Sequence, residues 1–171
     1  MKRSIILLFS LLTAVAVAAP KVPDSPGALR VGQIGLTALQ SSVPVTKGAG
    51  KVNALVATVK RQGECSNSKV TIKAYFMGKD VETNQVVMHS MSEQTIETKL
   101  GPGVTATFKS DPFVVTPEVP ATKKTKAIPA HGVRPHGWVI RVYQNDLLLA
   151  TTSSGQGYDA VLAKASPTGN H

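Results

Sequence analysis

From residue 28 to residue 116, apolar and polar side chains mostly alternate with a period of two. Successive side chains of a strand point to opposite faces of a sheet, so this period predicts strands. Residues 70–77 are the clearest case. Residues 51–60 are apolar on both faces, which indicates a strand in the middle of a sheet. The set predicted to face the core in the clearest run is Val70, Ile72, Ala74 and Phe76.

The pattern is also regular near the end of the chain. Apolar and polar residues alternate from 138 to 143, which predicts a strand. Gln144-Asn145-Asp146 predicts a tight turn, and residues 147–151 are expected to form the second strand of a hairpin. Asn and Asp tolerate the positive φ that such turns require. Trp138 is expected in the core. The short segment from Tyr158 to Leu162 fits either a strand or a helix.

Together these patterns predict about seven to nine short strands separated by turns, which favours an all-β sandwich or barrel. The expected fold class is an immunoglobulin-like antiparallel β-sandwich. Its disulfide-braced form is excluded because it needs two cysteines and the chain has one, Cys65. That thiol is expected either to be buried and inert or to pair between chains.

The first residues are typical of a secretory signal peptide. Lys2 and Arg3 precede an uncharged run from Ile5 to Val17, and Ala16-Val17-Ala18 has the small-x-small form of a cleavage site. The run is shorter than the roughly 20 apolar residues of a spanning helix, although an uncleaved anchor is the alternative. The protein is therefore expected to be exported to the periplasm, the outer surface or the medium, with cleavage after Ala18.

The remaining chain is expected to form one domain with short flanking segments. Residues 1–18 are the signal peptide, residues 19–27 a flexible leader rich in proline, residues 28–165 the β-sandwich, and residues 166–171 a disordered tail. Residues 116–137 contain four prolines and break the alternation, so they predict a long surface loop. Loops of this length in a compact domain are often functional.

The formal net charge of +9 favours acidic partners, such as anionic glycans. Nucleic acid is not expected, since aromatic residues make up 5% of the chain and none interleave with a basic block. The candidate binding residues are those of the basic loop. A solvated surface loop is the alternative interpretation of the same residues. The candidates are Lys123, Lys124, Lys126 and Arg134.

The sequence offers little that resembles an enzyme. The ten carboxylates form no recognisable acid–base motif, and neither a Gly-x-Ser-x-Gly elbow nor a phosphate-binding glycine loop occurs. His131 and His136 are the one metal-like pair, but no third ligand lies near them in sequence, and zinc needs three or four. We therefore predict no catalytic residues, no metal and no cofactor.

The segment from Gly137 to Ser154 resembles the closing hairpin of small exported proteins of verrucomicrobia, in which a Trp-led strand, a tight turn and an Ala-x-x-Ser exit recur. The chain as a whole is similar to pilus-associated proteins of the Akkermansia group. This resemblance implies an immunoglobulin-like sandwich near type IV pili, with no catalytic residues to carry over. One departure is that no long apolar helix follows the predicted cleavage site, as it would in a major pilin.

Three hypotheses of function follow. The first is a non-enzymatic structural or interaction protein of the cell envelope, an accessory component associated with type IV pili, with protein partners or other copies of itself. The second is a binding module for anionic glycans or mucin-like polymers that uses the basic loop. The third is a hydrolase with an unrecognised site.

Overall fold

The structure is a computed structural model that describes residues 28–44, 50–62, 68–98 and 103–165. The predicted signal peptide, leader and tail, as well as Cys65, lie outside the described residues. Within them the chain forms eight strands and one helix. In chain order these are β1 (Ile34–Pro44), β2 (Lys51–Arg61), β3 (Ser68–Asp80), β4 (Val86–Thr98), β5 (Val104–Lys109), β6 (Val115–Thr116), β7 (His131–Gln144), β8 (Leu147–Ser153) and α1 (Tyr158–Ala165).

The strands form two antiparallel sheets that pack face to face, so the predicted all-β sandwich is confirmed. The smaller sheet has the order β1-β2-β5. The larger sheet has the order β4-β3-β7, and β7 then pairs with β6 near its start and with β8 near its end. The central position predicted for residues 51–60 is also confirmed, because β2 lies between β1 and β5. The immunoglobulin-like assignment itself stays a prediction.

The core lies between the two sheets and is built by the alternation that the sequence shows. All four inward-facing residues predicted for β3 are buried, and so is Trp138 on the neighbouring β7. Burying one such large apolar side chain contributes about 1.5–3 kcal/mol. From the smaller sheet the core receives Leu55, Ala57, Val59, Ala106 and Phe108.

The hairpin between β7 and β8 forms at the predicted place. Asn145 and Asp146 both have positive φ, at 47° and 65°. This is the conformation of a type I′ turn, whose twist matches that of the flanking strands. The turn places both side chains at one end of the larger sheet.

The helix α1 settles the choice left open for the segment that starts at Tyr158. It packs on the outer face of the larger sheet, where Tyr158 and Leu162 cover Met77 and Val139. In the described part of the chain, no helix is long and apolar enough to cross a membrane.

The prediction of a single loop over residues 116–137 is wrong at both ends. Thr116 belongs to β6, and β7 already begins at His131. Four prolines interrupt the alternation there, but proline is compatible with strand edges, where no ladder hydrogen bond is needed from its nitrogen. The segment between the two strands turns back on itself, as described next.

Candidate functional site

Residues 115–132 form a two-stranded extension of the larger sheet, which we call the arm. At its base Val115 pairs with Gly132 and Thr116 with His131. Gly132 has a φ of 114°, and a Cβ there would collide with the carbonyl oxygen of Val114, so the base needs a glycine. Both sequence and packing therefore fix the point at which the arm leaves the sandwich.

Hydrogen bonds continue along the arm to its tip. Val119 and Ile128 exchange two backbone hydrogen bonds of 2.9 Å. At the tip the Thr122 amide donates to the Thr125 carbonyl at 3.0 Å, and the Thr125 amide donates to the Thr122 hydroxyl at 3.1 Å. This pattern defines a tight turn from residue 122 to residue 125.

The structure brings the three predicted lysines together at this tip. Lys123 and Lys124 occupy the two central positions of the turn, and Lys126 follows it. All three side chains are exposed, and among the residues that the structure describes none of them forms an ion pair. The tip is therefore a compact positive charge held on an ordered turn.

Arg134 lies elsewhere, in β7 at the base of the arm. It lines a shallow surface cavity of about 410 Å³. Lys51 lines the same cavity, so a pair of cations lies at the base of the arm in addition to the three lysines of its tip. Sequence reasoning missed Lys51, since only the tertiary fold brings the start of β2 to the arm. The remaining lining residues are Gly50, Phe113, Val115 and Pro135.

The arm also exposes apolar side chains. Four branched residues of the arm and its base leave 40–52% of their surface in water. Single exposed apolar residues are ordinary, but several on one projecting element mark an interaction surface. The four residues are Val114, Val115, Val119 and Ile128.

His131 and His136 are exposed residues of β7 rather than loop residues. His136 lies edge-on to Tyr158, with ring centroids 5.9 Å apart. Across the described ranges, no group of three or more His, Cys, Asp or Glu is placed to hold a metal ion.

A second polar surface lies on the outer face of the larger sheet, where β4, β3 and β7 run side by side. Lys73 on β3 forms an ion pair with Glu93 on β4, at 3.3 Å, and its Nζ lies 5.6 Å from the ring centre of Tyr143 on β7. Arg141 lies over the ring of Tyr75 at 5.8 Å and forms an ion pair with Asp159 of α1. Cations thus alternate with aromatic rings across the strands.

Burial and the neighbouring Tyr143 raise the pKa of the Tyr75 phenol above its ordinary value. Partial burial alone would lower the pKa of Arg141, but hydrogen bonds to Asp159 and Tyr143 outweigh that effect and raise it. The Tyr75 phenol is therefore neutral and Arg141 is charged at neutral pH.

A groove of about 360 Å³ opens in this surface, and we call it the polar groove. Sequence reasoning missed it, because the three tyrosines of the chain are spread along the sequence. The outward alternation of residues 71, 73 and 75 was the available signal, but only the strand register brings Tyr143 opposite Thr71. The groove is lined by Thr71, Lys73, Glu93, Tyr143, Asn145 and Asp146.

Comparison with known proteins yields little. No protein-family model matches the chain, and no curated protein matches it in sequence. Among solved structures, a crystal structure of a protein from Akkermansia muciniphila is similar, with a TM-score of 0.37 and 14% sequence identity over 73% of this chain and 70% of that one. A TM-score this low does not transfer a fold or a function.

Proposed function

We propose that the chain is a non-enzymatic, exported protein of the cell envelope that binds a protein partner through its arm. The observation that supports this is the combination of exposed apolar side chains and a lysine tip on one projecting, hydrogen-bonded element. The export pattern of residues 1–18 supports the location.

The chemistry of the arm favours a protein with an acidic surface. Protein interfaces combine an apolar centre with a polar rim, and the valines and Ile128 with the nearby lysines offer both. The lysines would steer an acidic partner to the arm, and the apolar side chains would slow its release. A partner strand added to the edge of the arm would contribute main-chain hydrogen bonds as well.

The resemblance of residues 137–154 to exported verrucomicrobial proteins gives this proposal a more specific form. In that form the protein is an accessory component associated with type IV pili, and its partner is a pilus subunit or another copy of itself. The absence of a long apolar helix after Ala18 in the sequence fits an accessory subunit better than a major pilin.

The experiment is a pull-down from envelope extracts with residues 19–171 as bait, together with size-exclusion chromatography of the same protein. Two arm variants are compared with the natural sequence: a charge reversal at all three tip lysines, and Val119→Ser with Ile128→Ser. A matched control reverses three exposed lysines elsewhere, Lys60, Lys69 and Lys164.

We expect both arm variants to lose a discrete partner that the control retains. A protein that stays strictly monomeric and recovers no envelope component would refute the proposal. So would a partner that binds the two arm variants and the control equally well.

Binding of an anionic glycan is the second candidate, and the exposed positive charge of the lysine tip favours it. The two candidates differ in their need for the apolar residues. A glycan would lose affinity on lysine reversal and with rising salt, since salt screens exposed charges, but would tolerate Val119→Ser with Ile128→Ser. A protein partner would be lost with either change.

A further inference from the structure

We propose that the polar groove on the outer face of the larger sheet binds a neutral saccharide, with one pyranose ring seated against Tyr143. This site is separate from the arm, and the proposal does not rest on the function proposed for the arm.

The size of the groove fits such a ligand. Ligand sites in proteins are clefts of about 300–1,000 Å³. At about 360 Å³ the polar groove lies near the small end of this range, which suits one or two sugar rings. Its walls come from three neighbouring strands and from the turn between β7 and β8.

The lining presents hydrogen-bonding groups of both kinds. Glu93 and Asp146 offer carboxylate oxygens as acceptors, Lys73 offers ammonium donors, and Thr71 and Asn145 can do both. A pyranose carries hydroxyls that donate and accept around its rim. Its C–H faces are apolar and pack on the electron-rich face of an aromatic ring. Tyr143 supplies that aromatic surface.

Contacts between the lining residues hold these groups in position before a ligand arrives. Lys73 is held between the carboxylate of Glu93 and the ring of Tyr143. The Thr71 hydroxyl lies 3.2 Å from that of Thr95. Groups that are already ordered lose less conformational entropy on binding, which favours a small ligand.

The charges of the groove favour an uncharged ligand. Lys73 is already neutralised by Glu93, so an anion would meet two carboxylates without a free cation. A cation would meet the ammonium of Lys73, and Asp146 alone would compensate for it. A polyol meets no like charge in the groove and can bond to both its donors and its acceptors, so we take a neutral sugar as the ligand class.

A substitution at Asp146 can distinguish an effect on ligand binding from an effect on folding stability. Its φ of 65° lies in the region where glycine has the lowest conformational cost, and Asn-Gly is the preferred pair for this turn. Asp146→Gly should therefore raise the thermal midpoint by about 2–4 °C, because it relieves the cost of a positive φ. If the carboxylate serves a ligand, the same change should weaken binding.

The test is a titration of residues 19–171 with maltotriose, cellotriose and triacetylchitotriose, followed by ¹H–¹⁵N NMR. We expect at least one of these probes to shift the amides of Thr71, Tyr143 and Asn145, with a dissociation constant on the order of 1 mM. The shifts should be absent with glucuronic acid at the same concentration.

Substitutions of the lining residues test whether the saccharide binds in the polar groove. Tyr143→Ala should abolish the shifts. Glu93→Gln should weaken binding about fivefold, because glutamine keeps an oxygen acceptor but loses the charge that strengthens the hydrogen bond. Glu97→Gln is the matched control, because Glu97 is an exposed residue of the same strand and face that does not line the groove. Asp146→Gly should weaken binding while it stabilises the fold.

The proposal is overturned if none of the three probes binds at about ten times that concentration. It is also overturned if Glu93→Gln and Asp146→Gly bind as well as Glu97→Gln does. The arm variants should bind the saccharide normally, so a failure of the arm proposal and a failure of this one are distinguishable.

Discussion

The ring of His89 stacks on the ring of Phe113, with centroids 4.1 Å apart and planes inclined by 23°. His89 belongs to β4 of the larger sheet. The backbone of Phe113 exchanges two hydrogen bonds, of 2.9 and 3.1 Å, with Lys51 of the smaller sheet. Phe113 therefore links the two sheets directly before the arm begins, and it fixes the arm on the sandwich.

Truncation of the Phe113 side chain should destabilise the fold and loosen the attachment of the arm to the sandwich. Phe113 is 3% exposed, and Phe113→Ala should lower the free energy of unfolding by about 3–5 kcal/mol through lost burial and a residual cavity. Urea unfolding followed by the fluorescence of Trp138, the only tryptophan, measures this change. Val114→Ala is the control, because Val114 is 48% exposed and its truncation should stay within about 0.5 kcal/mol. Equal effects of the two changes would contradict the anchoring role.

The packing of α1 on the sheet requires a glycine at position 137. A Cβ at this position would collide with the Tyr158 hydroxyl and the Ser154 side chain. Gly137→Ala should therefore destabilise the protein by about 1–3 kcal/mol and displace α1. Faster amide exchange in residues 158–165 than in β3 would show that displacement.

Gly35→Ala provides the matched control for that substitution. Its Cβ would meet only the flexible amide end of Gln62 at 3.1 Å and the Lys60 carbonyl oxygen at 3.5 Å, so a small shift of Gln62 accommodates it. We expect α1 to exchange normally in this variant. A Gly137→Ala protein with natural stability and an undisturbed helix would disprove the close packing of Tyr158.

Acid should weaken the turn after β3. The Thr83 amide and hydroxyl donate to the Asp80 carboxylate at 2.7 and 2.9 Å, and these bonds lower the pKa of Asp80 below its ordinary 3.8. A lowered folded-state pKa gives stability that is fully present above 3.8 and is lost as the pH falls through the lowered value. NMR titration of the Asp80 carboxyl carbon should show the low pKa, and Thr83→Val should move it back toward 3.8. An unchanged titration in Thr83→Val would contradict this cause.

The strands and the inward-facing core residues could be predicted from the sequence because they rest on local alternation. Val70 to Phe76 and the turn at Asn145 and Asp146 lie where the pattern and the turn chemistry place them. Both signals depend on neighbours in sequence, which a single chain displays in full.

The arm and the polar groove depend on contacts between distant residues. Prolines hide the pairing of Val119 with Ile128, which the sequence shows only as a broken pattern. The polar groove needs the register that brings Tyr143 opposite Thr71 and Lys73 opposite Glu93, and a period of two does not fix register between strands. Lys51 joins Arg134 for the same reason.

The most direct test of the arm as a docking element is site-specific photo-crosslinking in cells that produce the protein. A benzophenone side chain replaces Ala121 near the arm tip or, as a control, the exposed Thr107 on β5. We expect a discrete protein adduct from position 121, lost on charge reversal of Lys123, Lys124 and Lys126, and no such adduct from position 107. Adducts of equal yield at both positions, or none at position 121, would contradict the account.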